Sequence, residues 1–267
     1  MELLPNVVKL TAGAVDVVRR PVEGLVVLIY HRVGGRTPVR VDLPTAAFDE
    51  QMGLLAERRV VLALDDAIAR LRAGDDVRGA VVVTFDDGTA DFVDDAMPVL
   101  VRHGVPATLY VATGHIEDQR DFPDDGRPAS WAGLRDCVDT GLVTIGSHTH
   151  RHALLDRLPA ERVAEELDRS IDLIGSRLGV AARHFAYPKA LRPSADADAE
   201  VRSRFVSAAV AGTRANPVGS DPFRLARTPV QTTDGKRWFA RKLAGGMGFE
   251  DDLRQLMNRR RYAGASS

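Results

Sequence analysis

The chain has 267 residues, of which 45% are hydrophobic and 27% are charged, and its formal net charge is -1. This composition is typical of a globular domain, and the near-neutral charge gives no support for a nucleic-acid partner, which usually needs a basic surface. The single cysteine, Cys137, excludes an intramolecular disulfide and a cysteine-rich zinc site. Because the first residues lack a long apolar core, we expect no signal peptide or membrane span and a cytoplasmic location. A surface helix lying on a membrane stays an alternative.

Strand-like apolar runs alternate with helical patterns along the chain. We predict strands at 25–30, 81–85, 107–112, 142–147, 184–187, 205–210 and 223–228, with a weaker strand at 60–64. Helices are predicted at 45–58, 91–103, 130–140, 159–178 and 236–244. This alternation indicates parallel strands joined by right-handed crossovers, in either an open doubly wound sheet or a (β/α) barrel. In both architectures, functional residues collect at the carboxyl ends of the strands.

Three of the predicted strands end in residues that bind metals or transfer protons. The strand "VVVTF" runs into Asp86 and Asp87, "LVTIGS" runs into His148 and His152, and "LVVLIY" runs into His31. Two adjacent aspartates before a glycine are also common turn chemistry, which is the simpler interpretation. The two histidines are four residues apart, so a helical turn would let both face one ion, with one carboxylate as the third ligand of a catalytic zinc site. The other carboxylate would then accept a proton from water activated by the metal.

The other histidines of these regions have simpler interpretations. We expect His103 to be a cation at the C-terminal end of a helix, where the helix dipole favours it. We expect His115 to have a structural role in a loop and His150, which lies between the two candidate ligands, to point away from them.

Three sequence motifs, in this order, resemble those of the polysaccharide deacetylases, which are carbohydrate esterase family four with the NodB homology domain. They are "TFDDG" (84–88), "HTHRH" (148–152) and "FAYP" (185–188). The resemblance extends from about "LIYHRV" (28–33) to "KLAGG" (242–246). It implies a distorted (β/α) barrel with about seven parallel strands.

The resemblance also predicts the domain organisation. We expect one NodB-like domain over residues 1–267, with its core at about 25–246 and a C-terminal helix and tail at 247–267.

The same resemblance assigns roles to the first two motifs. Asp86 matches the general base of the family, and Thr149 matches the residue that supports the histidine loop. Asp87, His148 and His152 match its metal ligands. The implied cofactor is a divalent metal, with zinc expected first and cobalt or nickel as alternatives.

The third motif departs from the usual Pro-aromatic-Gly pattern of the family, because it reads Pro188, Lys189 and Ala190. The resemblance implies that a backbone N–H at this turn stabilises the reaction's oxyanion. A backbone donor needs no aromatic side chain, so Lys189 is the predicted donor. Tyr187 and Pro188 are the predicted substrate contacts.

The predicted general acid lies early in the chain. No histidine follows His184, so the Leu-x-x-His motif of many family members is absent. The chain instead resembles the circularly permuted poly-N-acetylglucosamine deacetylases, in which a strand-end Tyr-His motif supplies the acid. "LIYHRV" matches that motif, which makes His31 the candidate, and "DPFRLARTPV" (221–230) is similar to the last strand of that subgroup.

These expectations together predict a hydrolase that removes the N-acetyl group from an N-acetylglucosamine-type glycan or glycan precursor and releases acetate. Two alternatives stay open: an amidohydrolase acting on a small non-sugar amide, and a non-catalytic glycan-binding protein of the same fold. The retained pair of aspartates and pair of histidines argue against the second alternative, because an idle site need not keep mutually repelling carboxylates.

Overall fold

The computed structural model describes residues 21–191 and 193–248. Ten strands form within these ranges: β1 Val26–Tyr30, β2 Arg32–Val33, β3 Asp42–Leu43, β4 Val60–Val61, β5 Ala80–Phe85, β6 Ala107–Val111, β7 Val143–Ser147, β8 His184–Ala186, β9 Ser207–Ala211 and β10 Leu225–Pro229. All seven longer strands fall where the apolar runs predict them.

Seven parallel strands close into a barrel. Neighbours pair in the order β5, β6, β7, β8, β9, β10 and β1, and β1 also pairs with β5 from Val26↔Val81 to Tyr30↔Phe85. This last pairing joins the two edges of the sheet and decides for the (β/α) barrel over the open sheet. The short β4 pairs in parallel with the start of β5, and β2 and β3 form a separate two-stranded ladder.

Eight α-helices lie between or after these strands in the described part of the chain: α1 Thr45–Arg58, α2 Leu64–Ala73, α3 Met97–His103, α4 Thr113–Glu117, α5 Trp131–Asp139, α6 Ala160–Leu178, α7 Ala195–Arg204 and α8 Gly235–Leu243. A π-helical turn, Phe92–Ala96, precedes α3 and occupies the first part of the helix predicted at 91–103. The five predicted helices are confirmed within a few residues.

The weak strand predicted at 60–64 is mostly wrong. Only Val60–Val61 is extended, and α2 begins at Leu64. Two aspartates in the first turn of α2 favour a helix start, and Gly74 ends the helix in a left-handed conformation with φ 78°. These helix signals limit the strand that the β-branched pair Val60 and Val61 favours to those two residues.

Helix α2 was missed, and the helices α4 and α7 were not predicted from the sequence either. Helix α4 has only five residues, too few to show a period. Helix α7 buries only Ala197 and Val201, so it has no apolar stripe to reveal it, although Ser194 caps it by accepting the N–H of Ala197. The predicted C-terminal helix and tail, 247–267, lies outside the described residues apart from 247 and 248.

Side-chain alternation along the strands separates two apolar regions. In β5, Val81, Val83 and Phe85 pack with the large cluster that includes the buried faces of the helices. Val82 belongs instead to a second cluster with Leu225 and other strand residues of the barrel interior. The next inward positions of β5 and β10 are polar, and they form the floor of the site described below.

Candidate metal centre and active site

The predicted site residues meet at the carboxyl ends of the barrel strands. His31 follows β1, Asp86 and Asp87 follow β5, and His148 follows β7. Lys189 lies in the short turn Pro188–Ala190 after β8. These strand ends share one rim because the strands are parallel, so residues more than 100 positions apart in sequence become neighbours.

The two adjacent aspartates reach the same site because the backbone turns between them. In an extended strand their side chains would point to opposite sides. Asp87 instead adopts a left-handed conformation with φ 75°, and Gly88 follows with φ 93°. A Cβ at Gly88 would lie 3.1 Å from both Ile116 Cδ1 and Val111 Cγ1, so the turn needs a glycine there for space as well as for φ.

The histidine loop is held by its own left-handed residues rather than by the helical turn that we expected. Thr149 has φ 65° and His152 has φ 60°, and the segment is not helical. The Thr149 hydroxyl accepts the N–H of Ala153 at 3.0 Å, which closes the loop. Through this hydrogen bond the Thr149 side chain supports the loop, which is the role that the sequence predicts for it.

Three donor atoms converge in a geometry that fits a divalent metal. The ligand atoms of Asp87, His148 and His152 all lie within 4.8 Å of one another. Asp87 Oδ1 is 3.4 Å from His152 Nε2 and 3.7 Å from His148 Nε2. Ligands about 2.1 Å from a tetrahedral zinc ion lie about 3.4 Å from one another. These three side chains therefore suit one ion with little movement.

The surroundings of His148 and His152 favour neutral imidazole rings, which can offer a nitrogen lone pair to a metal ion. His148 Nδ1 lies 2.7 Å from the carbonyl oxygen of Ala186, to which it donates, so Nε2 faces Asp87 without a proton. Burial lowers the pKa of His148, despite the opposing charges of Asp86 and Asp87. Burial, and then the charge of His148, lowers the pKa of His152 to about 3. Both imidazoles are therefore neutral at pH 7, as metal binding requires.

A buried arginine that the sequence analysis missed pairs with Asp86. Arg227, from β10, has no exposed surface, and its Nη2 donates to Asp86 Oδ2 at 2.8 Å while Nη1 donates to Oδ1. The guanidinium also lies 5.2 Å from the ring centre of Tyr110. Burial alone would raise the pKa of Asp86, but Arg227, above all through its charge, outweighs burial and the pKa is lowered to about 2. A charged residue inside the apolar strand "LART" was the available signal.

His31 lies close to both aspartates. Burial raises the pKa of Asp87, but electrostatic interactions with His152 and His31 lower it overall. His31 also lowers the pKa of Asp86. His31 Nδ1 is buried and has no hydrogen-bond partner within the described part of the chain. Next to it, the buried Arg32 Nε donates to Asp91 Oδ2 at 2.9 Å, which fixes this segment beside the turn after β5.

The third motif is only partly oriented toward the site. Lys189 has φ 54°, and its charge is one of the smaller causes of the lowered pKa of His152. Tyr187 is only 2% exposed, and its ring packs against Phe185 with the ring centres 4.9 Å apart. Pro188 is also buried. The predicted substrate contact of the Tyr187 side chain is therefore corrected: apolar packing of "FAY" directs this ring into the core.

The other histidines have partners outside the triad. His150 Nδ1 lies 3.0 Å from the hydroxyl of Thr113, so this ring does not join the triad, as predicted. His115 lies on α4 rather than in the loop that we expected, and it stacks on Phe122. His103 Nε2 lies 2.9 Å from Asp49 on α1.

The comparisons with known proteins agree with this geometry. Residues 73–203 match the family model described as polysaccharide deacetylase, a segment that contains both aspartates, both candidate ligand histidines and Lys189. His31 and Arg227 lie outside it. Over these residues the chain carries a polysaccharide deacetylase domain.

One similar relative is the poly-beta-1,6-N-acetyl-D-glucosamine N-deacetylase of Staphylococcus aureus (strain MSSA476). It is 23% identical over 138 residues, which cover 49% of this chain and 47% of the relative. The chain spans about half the length of the curated relatives it matches.

Two solved structures share the fold over most of the chain. IcaB from Ammonifex degensii aligns with a TM-score of 0.72 and 25% identity, covering 84% of this chain and 98% of that one. The deacetylase PplD of Streptococcus pyogenes in complex with acetate aligns with a TM-score of 0.74 and 19% identity, covering 84% and 99%. Among the described helices, none is long and apolar enough to cross a membrane.

Proposed function

We propose that this protein is a metal-dependent hydrolase that removes the acetyl group from an N-acetylated amino sugar and releases acetate. The observation that carries the proposal is the convergence of Asp87, His148 and His152 within 4.8 Å, next to a carboxylate that Arg227 holds ionised. The polysaccharide deacetylase domain supports the class of reaction, and the name of the similar Staphylococcus aureus relative supports N-acetylglucosamine units as the substrate.

Asp87, His148 and His152 are the residues that would hold the metal. A bound divalent ion, zinc first among the candidates, supplies Lewis acidity that acidifies water and polarises an amide carbonyl. The chain itself supplies the neutral imidazoles and the one carboxylate that such an ion needs.

Asp86 is the proposed general base. Its Oδ2 lies 3.7 Å from His148 Nε2, so it borders the proposed metal position without completing the triad. Arg227 orients both carboxylate oxygens and keeps the group ionised. A carboxylate with a pKa of about 2 is a weak base, so its proton transfer requires water whose own pKa has been lowered. The proton that leaves water passes to Asp86 as the new C–O bond forms.

His31 and Lys189 are proposed to complete the reaction. The amide N–H of Lys189 donates to the oxyanion that develops on the carbonyl oxygen. His31, which follows β1 on the same rim of the barrel, protonates the amine nitrogen as the C–N bond breaks. One water is consumed for each acetate and free amine released, so protons balance over the cycle.

The decisive experiment measures acetate release and metal content together. Purified protein is stripped with a chelator, reloaded with zinc, cobalt or nickel, and assayed on N-acetylglucosamine oligomers, nucleotide sugars and small amides. We expect one metal per chain, and acetate release that is lost in His152→Ala together with the metal. His115→Ala, a histidine outside the triad, serves as the matched control and should keep both.

The panel separates this proposal from its alternatives. Stoichiometric metal with no acetate from any acylated sugar would refute the proposal in favour of a glycan-binding protein. Turnover of small amides alone would refute the carbohydrate substrate and leave the metal site intact.

A further inference from the structure

Helix α6 carries two polar residues on its buried face. That face contains Val163, Leu167 and other apolar side chains at helical spacing, yet Glu166 is only 7% exposed and Ser170 is fully buried. A buried carboxylate or hydroxyl without a hydrogen-bond partner is costly. Their presence in an apolar stripe therefore indicates that each has a specific partner.

One partner lies in the loop that carries His148 and His152, and the other is Ser147, the last residue of β7, where that loop begins. Glu166 Oε2 accepts the backbone N–H of Arg151 at 2.7 Å. Ser170 Oγ lies 2.8 Å from Ser147 Oγ, which accepts the N–H of Thr149 at 3.3 Å. Residues one helical turn apart on α6 thus fix the loop at two points.

The loop needs such support because its conformation is unfavourable. Thr149 and His152 both have positive φ, a region that L side chains rarely adopt. Arg151 directly precedes His152, so the bond from Glu166 fixes the orientation of the His150–Arg151 peptide, one residue before this candidate ligand. Other contacts of the loop come from its opposite side, where Gly114 donates to the carbonyl of His150.

The contact with Glu166 acts through the backbone rather than through charge pairing at the surface. The guanidinium of Arg151 is mostly exposed, and its Nη1 is 3.9 Å from Glu166 Oε1, near the limit for an ion pair. Surface pairs of this kind contribute little. The buried N–H···O bond is the shorter contact and the one that constrains the loop.

We propose that Glu166 is a positioning residue that preorganises His152 for metal binding by holding the Arg151 N–H from helix α6. This inference rests on the proposed metal site. Hydrogen-bonding partners behind metal ligands typically change metal affinity about 10- to 100-fold when they are removed.

The test compares metal affinity among four variants of the full chain. Glu166→Met keeps the side-chain length and suits the apolar face but removes the acceptor, whereas Glu166→Gln keeps an acceptor oxygen. Arg151→Ala removes the surface pair but keeps the backbone N–H, and Glu165→Ala removes the exposed neighbour. Zinc affinity is measured by competition with a chromogenic chelator, and ligand geometry by the visible absorption bands of the cobalt-substituted protein.

We expect Glu166→Met to weaken zinc binding about 10- to 100-fold and to change the cobalt spectrum. Glu166→Gln, Arg151→Ala and Glu165→Ala should stay close to wild type. A folded Glu166→Met variant with wild-type affinity and spectrum would overturn the inference. Failure of the wild-type protein itself to bind metal would instead refute the proposed function.

A second measurement needs no variant. In metal-free wild-type protein the Arg151 amide should exchange its hydrogen slowly, because its acceptor is already in place. Exchange as fast as in an exposed loop would show that the loop is not preorganised and would overturn the inference.

Discussion

Replacing either partner of the Asp86–Arg227 pair should destabilise the fold strongly. Arg227 has no exposed surface and Asp86 is 3% exposed, so neither charge reaches water when its partner is removed. Breaking a buried ion pair by removing one partner costs about 3–5 kcal/mol of unfolding free energy. We expect Arg227→Met, which removes the cation at similar volume, to fall in this range. Asp86→Asn should lie at its lower end, because the amide oxygen still accepts from the guanidinium.

The double variant separates pairing from burial. In Asp86→Asn/Arg227→Met neither charge of this pair is left, so the destabilisation should be smaller than the sum of the two single effects by at least about 2 kcal/mol. Urea unfolding of the metal-free protein, followed by tryptophan fluorescence and extrapolated to water, measures all three free energies. A chelator in every sample keeps metal binding from contributing.

Arg202 offers a matched control. It pairs with two carboxylates, Asp198 and Asp221, and lies 4.7 Å from the ring centre of Phe223, but its side chain is 37% exposed. Arg202→Met should therefore cost no more than about 1 kcal/mol. Single-variant costs below that value at Arg227, or additive costs in the double variant, would refute the burial argument.

Three further predictions concern other histidines and the cysteine. His31→Ala should lower kcat about 10²- to 10⁴-fold in the acetate assay without loss of bound metal, and a near-wild-type rate would exclude it as the acid. His184 is fully buried, and burial, opposed by the charge of Asp65, lowers its pKa to about 4, below that of the unfolded chain. Protonation of His184 should therefore lower stability as pH drops from about 6.5 toward 4, contributing a slope that approaches about 1.4 kcal/mol per pH unit, in addition to the contributions of His148 and His152. His184→Asn should reduce the slope in urea titrations by about that amount, and an unchanged slope would contradict the assignment. Burial, and then the charge of Asp136, raises the pKa of Cys137 to about 11, so a disulfide reagent should label the native protein at least about 10³-fold more slowly than the denatured chain.

The labelling experiment is unambiguous because the chain contains one cysteine. Rapid labelling of native protein would show that α5, which carries Cys137, opens far more readily than its burial implies.

The barrel strands could be predicted from the sequence because each is a local apolar run. Strands buried on both faces leave a continuous hydrophobic signature, and all seven runs proved correct within about two residues. Helices α4 and α7 could not be predicted, since five residues in α4 and two buried residues in α7 give no measurable period. Helix α2 was missed although it buries Leu64, Ala67, Ile68 and Leu71 at helical spacing, because the preceding β-branched pair was interpreted as a strand. The pattern of apolar runs could not predict closure of the sheet, because the pairing of β1 with β5 leaves no mark in either strand, and only the family resemblance implied the barrel that the structure confirms.

For the proposed site, the amino-acid sequence by itself determined which metal-binding and acid–base side chains to expect at the strand ends. The pair Asp86 and Asp87 and the pair His148 and His152 are recognisable because donor type and strand-end position are local properties. Only the tertiary structure showed that the backbone turns at Asp87 itself and that Tyr187 belongs to the core. It alone brought Arg227 to Asp86 across 141 positions of sequence. A charged residue such as Arg227 inside an apolar strand indicates that a buried partner is required. Only the closed barrel shows that this partner is Asp86, because closure brings the two strands' inward-facing residues together.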